Sequence, residues 1–519
     1  MKVRSIREWS FPYDKLSGLV LIPAIFAIVQ GWISFNIICK LPPYSLADGA
    51  LYIAHGGVIL GAKVANWPLE TARYGLYPAF LSLFRLRAVN WATAGNSPTL
   101  LPVYEAQALL LALATAVFLC CAFAFSSGTT LKRAAISVLL GFFLLSPLVI
   151  VWPGFVLTES LTLATLLLLL AACQVCDNQA SHPVLFIAVT AAVLIWLRDP
   201  LISFVWLLVI LLAVNIAFVR SERAGARIVA VGLLLAVGAF GVERIALIGR
   251  SDKYIQPLAN IVQLRMLPDP QRRAFFAARG LPLSPAVLER SGQPAQYRNS
   301  LFLPDDDVPT DFVDYRNWLF KNGFKTYAAF LMSNPSYLIN SVMTSPNAAP
   351  SAMTSPQVSP EVFSEDFLFS FSDLFSTPRN GGYWMDLTPY PKPLNNFLLA
   401  PMGWPLSVIY LGYLGLTYIL QTIRKRRTSS IEVAALAAFA SMFEAYHADG
   451  LDLWRHCVPL LIVIYASFIY RVPEIGAAAL AAARALRAVS HAGGIRDGAA
   501  QSRSAESEMK YERKGFYNY

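Results

Sequence analysis

Apolar blocks long enough to cross a bilayer recur along this 519-residue chain, and no other feature limits its fold so strongly. Roughly 20 consecutive apolar residues make one helical span. About ten such blocks can be read, near residues 16–39, 104–125, 134–152, 155–173, 183–197, 201–218, 228–247, 397–420, 431–446 and 457–470. The first is too long for a cleaved secretory leader, and no A-x-A site follows it. Composition agrees: 56% of residues are apolar and 14% charged, whereas soluble domains average about 45–50% and about 25%. Such a chain lacks the polar surface of a water-soluble enzyme, and most of it is too apolar for disorder. The expected fold class is an all-α polytopic membrane protein.

The formal charge of +10 would point to nucleic acid in a soluble protein. In a membrane protein, basic residues on cytoplasmic loops account for it, so no nucleic-acid partner is expected. Lys2, Arg4, Arg7 and Lys15 precede the first block; Lys132 and Arg133 follow the second; Arg220, Arg223 and Arg227 follow the sixth. Arg424, Lys425, Arg426 and Arg427 follow the eighth, and eight Lys or Arg residues follow the tenth, from Arg471 to Lys514. If ten spans alternate, all of these share one side, and both termini are cytoplasmic. The six cysteines lie in or beside apolar blocks, so a disulfide framework is not expected. Cys173 and Cys176 have C-x-x-C spacing without a second pair.

Four regions follow: a membrane module over 1–247 with an outer loop at 40–103, an outer segment over 248–396, a second group of spans over 397–470, and a tail over 471–519. Residues 51–64 and 77–86 read as amphipathic helices in the interface. The row Phe312, Tyr315, Trp318, Leu319, Phe324, Tyr327 and Phe330 predicts a helical subdomain. The repeat of Met-Thr-Ser-Pro at 343–346 and 353–356 predicts a flexible loop.

Charges left over from topology gather on the outer side. Asp48, Glu70 and Arg73 lie in the first outer loop, Glu159 just inside the fourth block, and Arg198 and Asp199 close the fifth. Glu243 and Arg244 lie near the end of the seventh, and Asp449, Asp452, Arg455 and His456 fill the last outer turn. A charge inside a span costs on the order of 2.5–3.5 kcal/mol on insertion scales. The plainer reading is a structural pair, for example Arg198 with Glu159. The other reading is a polar cavity opening outward. Carboxylates there offer a general base, and arginines and a histidine offer anchors for phosphate. That set suits sugar transfer from a polyprenyl phosphate. Phosphate is a weak base and leaves without a general acid, so one carboxylate suffices to activate the incoming hydroxyl. The acidic run Asp305–Asp307 reads as a solvated turn.

Four stretches resemble the GT-C superfamily of integral-membrane glycosyltransferases, in its protein O-mannosyltransferase and lipid A aminoarabinose transferase branch. They are Leu46-Ala-Asp48-Gly-Ala-Leu-Tyr52, Arg73-Tyr-Gly-Leu-Tyr77-Pro78-Ala-Phe-Leu81, Leu157-Thr-Glu159-Ser-Leu161 and Trp196-Leu-Arg198-Asp-Pro200. A late Arg455-His456-Cys-Val-Pro459 is similar to a further element. The resemblance implies a GT-C-like fold, Asp48 as catalytic base, and Arg73, Tyr77, Glu159, Arg198, Arg455 and His456 around the substrate. It implies a polyprenyl-phosphate-linked sugar as donor and a lipid, glycan or protein acceptor, at the outer face of a bacterial-type inner membrane. Many relatives pair two acids in the first loop, whereas Asp48 has no acidic neighbour, so a divalent metal stays an open alternative. The rival expectations are a transporter or flippase of a lipid-linked or anionic substrate, a polysaccharide polymerase or ligase, and a non-catalytic envelope scaffold.

Overall fold

A computed structural model describes residues 16–40, 76–84, 100–126, 128–154, 158–178, 184–217, 224–249, 255–293, 310–343, 404–448, 456–474, 476 and 483–485. The chain divides into two compact units, Met1–Ser467 and Phe468–Tyr519. Within the second, Arg471 and Glu474 form an i,i+3 ion pair.

The described residues are helical, with no strand among them. In order they form α1 (Leu16–Lys40), α2 (Leu76–Ser82), α3 (Leu101–Phe125), α4 (Thr130–Leu144), α5 (Pro147–Ile150), α6 (Glu159–Asn178), α7 (Val184–Leu197), α8 (Ile202–Ala217) and α9 (Ala224–Gly249). Next come α10 (Ile255–Ile261), α11 (Pro270–Ala277), α12 (Pro285–Glu289), α13 (Thr310–Trp318), α14 (Phe324–Ser333) and α15 (Pro335–Met343). Then come α16 (Trp404–Ile423), α17 (Ser430–Ala448) and α18 (His456–Glu474). Five helices are long and apolar enough to cross a membrane, those at Leu21–Cys39, Leu101–Phe125, Glu159–Asp177, Pro405–Ile423 and His456–Glu474. Three shorter apolar helices lie at Val184–Leu197, Ile202–Ala217 and Ile228–Glu243. This is consistent with a helical membrane protein.

Two expected blocks come out differently. The third, 134–152, is broken at Leu145–Ser146 between α4 and α5. Pro147 lacks an N–H and restrains the residue before it to extended backbone, so α4 stops and a new short helix starts with Pro at its first position. The carbonyls exposed near this break are met from α1: Gln30 Nε2 donates to Leu144 O at 3.0 Å, and Ser34 Oγ donates to Ile150 O at 3.0 Å. The fourth block, 155–173, becomes a helix starting at Glu159 and ending at Asn178. Glu159 therefore lies at a helix N-terminus rather than a few residues inside a span.

Side-chain hydrogen bonds establish which helix ends lie together. At one end Asp177, closing α6, accepts from Ser430 N at 2.8 Å, from Ser430 Oγ at 2.6 Å and from Ser429 Oγ at 2.6 Å. It thereby caps the start of α17 from another helix. Asn215, near the end of α8, donates to Thr428 O and accepts from Thr428 N, at 2.8 and 2.9 Å. Arg427 approaches Asp177 at 4.0 Å. The start of α8 meets the far half of α17 through Ser203 and Ser441, 2.7 Å apart, so the two helices are antiparallel.

Among the described residues, 255–293 and 310–343 fold around an aromatic core of Phe276, Phe312, Tyr315, Trp318, Tyr327 and Phe330. Every residue of the aromatic row anticipated from the sequence belongs to this core, with one exception. Phe324 is exposed. A π-helical turn over Leu319–Gly323 points Gly323 inward instead, where an added Cβ would come within 2.8 Å of Leu258 Cδ2. A side chain at the inward position would require Leu258 to shift.

Candidate functional site

Helix α7 stops at Leu197 and a 3₁₀ turn follows over Asp199–Leu201, where Pro200 has no N–H to continue the α-helical bonding. Arg198 is left just past the helix C-terminus, where a cation complements the helix dipole. Glu159 opens α6, where an anion is favoured for the same reason. The two helices are neighbours, and the residues meet: Arg198 Nη1 lies 3.0 Å from Glu159 Oε1. Both side chains are almost wholly removed from solvent, at 2% and 1% exposure. The other Glu159 oxygen accepts from Thr158 Oγ1 at 3.4 Å.

Helix α2 packs against α7, and Tyr77 on it lies near enough to the pair to feel the Glu159 charge. Tyr77 is fully buried. Its hydroxyl donates to Gln107 Oε1 at 3.0 Å, and Gln107 Nε2 donates to Pro153 O at 3.2 Å. Burial, then the nearby Glu159 carboxylate, then Tyr104, push the Tyr77 phenol well above its ordinary pKa. Tyr77 is thus a neutral hydrogen-bond donor at any physiological pH. Trp152, buried in the turn before α6, donates its indole N–H to Leu148 O at 2.8 Å.

Of the expected site residues, Tyr77, Glu159 and Arg198 are brought together. Asp48, Arg73 and Arg455 lie outside the described residues, as do Asp305–Asp307, Asp449, Asp452 and the stretch 51–64. His456 is half-buried at the start of α18. Glu243 is exposed on α9. The structural pairing of Arg198 with Glu159, the plainer expectation, is present. Sequence reasoning missed Gln107, and it named Thr158 only as part of the Leu157–Leu161 stretch. The available signal for Gln107 was a carboxamide in the otherwise apolar run of α3, which is costly unless both ends of the amide are satisfied.

A second polar cluster lies where the subdomain meets α17. Arg265 Nη1 donates to Tyr446 O, and Tyr327 Oη donates to His447 O at 2.8 Å. These carbonyls belong to the last turn of α17 and have no partner within their own helix. The Arg265 guanidinium also stacks 4.5 Å above the Tyr446 ring. The buried His447 ring is walled by Phe443, Tyr446 and Tyr337, with centroids 4.9, 5.3 and 6.3 Å away. Burial, and next the Arg265 charge, lower its pKa to about 4.

Among the described residues no three His, Cys, Asp or Glu side chains are grouped as metal ligands. No protein-family model, no curated protein and no solved structure matches the chain.

Proposed function

We propose that the chain is an inverting membrane glycosyltransferase that moves a sugar from a polyprenyl-phosphate donor to an envelope acceptor, with Asp48 as general base. The observation that carries this reading is the buried Glu159–Arg198 pair with Tyr77 beside it. Three chain segments far apart in sequence supply one acid, one guanidinium and one phenol to a single place. Arg198 has the planar fork that suits a phosphate. Tyr77 is four residues beyond Arg73, in the outer loop that also carries Asp48. In the proposed reaction Asp48 takes the proton from the acceptor hydroxyl as its oxygen attacks the sugar carbon. The bond from that carbon to the phosphate breaks, and the departing phosphate keeps the electron pair. Arg73, Arg198, Arg455 and His456 would then offset its charge. The acceptor class and a metal requirement stay open in this proposal, and the membrane is proposed to be a bacterial-type inner membrane.

The test uses the purified full chain in detergent with a panel of polyprenyl-phosphate sugars and labelled acceptors. Asp48→Asn is expected to lower the transfer rate about 10²–10⁴-fold, the usual contribution of a general base, without changing expression or thermal midpoint. Wild-type transfer rates in Asp48→Asn would overturn this role. Accumulation of unaltered lipid-linked substrate across the membrane, with no transfer by wild type, would favour a flippase instead.

A further inference from the structure

Helix α16 ends in a turn that its own sequence does not favour. Three backbone bonds close it: Arg424 N donates to Leu420 O at 3.0 Å, Lys425 N to Thr422 O at 3.0 Å, and Arg426 N to Gln421 O at 2.8 Å. The last two are the paired bonds of a Schellman turn, which places a left-handed residue just past the cap. Lys425 occupies that place at φ 54°, the one non-glycine residue of positive φ among the described residues. Glycine is the usual occupant, because a Cβ there crowds the backbone. The turn therefore keeps a lysine against the preference of its backbone.

The surroundings are those of a bilayer surface. Helix α16 contains the candidate span Pro405–Ile423. Ile409, Tyr413, Leu416, Leu420 and Ile423 are exposed along it at helical spacing, the stripe that a lipid-facing helix presents. Arg424, Lys425 and Arg426 follow directly and are all exposed. No Asp or Glu occurs from 404 to 431. Arg427, by contrast, is turned onto the protein: its Nη2 donates to Cys176 Sγ at 2.9 Å and lies 4.0 Å from Asp177. Topology and the helix dipole account for basic residues near this end. Neither requires one at the strained position, because a neighbouring residue would serve both equally well. An anion at the end of a lipid-facing stripe is most simply a lipid phosphate, and three exposed cations with no acid among them match it in charge. We propose that Arg424, Lys425 and Arg426 form a headgroup site for an anionic phospholipid in the leaflet at this end of α16. The site is separate from the proposed transfer reaction and does not depend on it.

The experiment titrates phosphatidylglycerol, phosphatidylcholine or inorganic phosphate into the full chain in neutral detergent. Two quantities are read: the thermal midpoint, and the lipid retained in native mass spectra. Wild type is expected to retain phosphatidylglycerol in preference to phosphatidylcholine and to gain stability from it. Without lipid, Lys425→Gly should raise the midpoint by about 1–2 °C, because glycine relieves the left-handed turn. The same variant should bind phosphatidylglycerol about fivefold more weakly, the scale of one basic residue at a membrane surface. Lys425→Arg should keep the wild-type lipid affinity. The triple variant Arg424→Gln, Lys425→Gly, Arg426→Gln should lose the preference between the two lipids. A lysine that serves topology alone would give the rise in midpoint with no change in lipid affinity, and that result overturns the proposal. A triple variant that still prefers phosphatidylglycerol also overturns it. Protection by inorganic phosphate equal to that by phosphatidylglycerol assigns a free-anion site and overturns the lipid. Should the triple variant not fold, Lys425→Asn, neutral and suited to the left-handed turn, carries the same comparison.

Discussion

At the scale of single residues, the Glu159–Arg198 pair sits where two opposing effects are large. Removing two charges from water costs several kcal/mol per ion, and their attraction offsets this only in good geometry. Breaking such a pair is worse than never having it, because one charge is then buried alone. Arg198→Met is accordingly expected to cost about 3–5 kcal/mol, whereas Glu159→Leu combined with Arg198→Met recovers most of that loss. Thermal unfolding in detergent measures both, and a double variant as unstable as the single would show that the pair is not mutually dependent. His447 carries a different expectation. Its pKa of about 4 lies below the ordinary 6.5, so the unfolded chain takes up its proton first as the medium is acidified. Stability then falls between about pH 6.5 and pH 4 and levels off below. The groups facing His447 are Arg265, whose charge opposes protonation, and the neutral phenols Tyr337 and Tyr446. His447→Phe should flatten this part of the pH profile of the thermal midpoint, and an unchanged slope would assign it to another group. Glu159 and Arg198 were legible in the sequence because a charge beside an apolar block is conspicuous. Their pairing was legible only as one alternative, since contact between residues 39 positions apart depends on how two helices pack. His447 was read as part of an outer turn, because no local pattern reveals that three aromatic rings will close over it.

At the scale of elements, most apolar blocks were readable to within a few residues, and the exceptions have local causes. Pro147 splits the third block, and the fourth helix starts late because the turn Trp152–Gly154 precedes it. The subdomain's helical row was readable from its aromatics, but the inward place of Gly323 was not, because a π turn alters the spacing on which such readings rest. Close packing between elements was also hidden. Gly141 on α4 lies under the Phe26 ring of α1, and an added Cβ would come within 2.5 Å of Phe26 Cδ2. Phe26 also makes an edge contact with Phe142, centroids 5.3 Å apart, which a shift of the ring would disturb. Gly141→Ala is therefore expected to destabilise the chain by about 1–3 kcal/mol, as overpacking usually does. Gly412→Ala on α16, where nothing lies within 4 Å, should leave the thermal midpoint unchanged or raise it. Equal midpoints for the two variants would show that α1 and α4 separate without cost.

At the scale of the molecule, the contacts of residues 1–467 bear on topology in a way that the basic residues alone do not. Glu159, Arg198, Tyr77 and Pro153 mark one set of helix ends, and Asp177, Asn215 and Ser430 mark the opposite set. Helix α6 runs from the first set to the second, α7 returns toward Arg198, α8 runs out again to Asn215, and α17 comes back from Ser430. The last turn of α17 is where Tyr327 of the subdomain is attached, which puts the subdomain at the same set of ends as Glu159. Arg427, by contrast, lies with Asp177. Exposed apolar side chains follow helical spacing along α1, at Leu21, Ile25, Ile28, Trp32 and Phe35, as a lipid-facing stripe requires. The positive-inside rule, applied to the basic residues, predicts that the second set is cytoplasmic. The prediction is that, with the six native cysteines replaced by alanine, Met332→Cys on α14 reacts with an impermeant maleimide in intact spheroplasts. Leu131→Cys, beside Lys132 at the start of α4, should react only after permeabilisation. Both positions are strongly exposed, at 85% and 81%, so access to the side chain does not limit either reaction. Labelling of both from the same side would refute the alternation of helix ends. A reversed pattern would leave the alternation intact and place Glu159, Arg198 and the subdomain in the cytoplasm, where an envelope acceptor would be out of reach and the proposed reaction would need a cytoplasmic substrate instead.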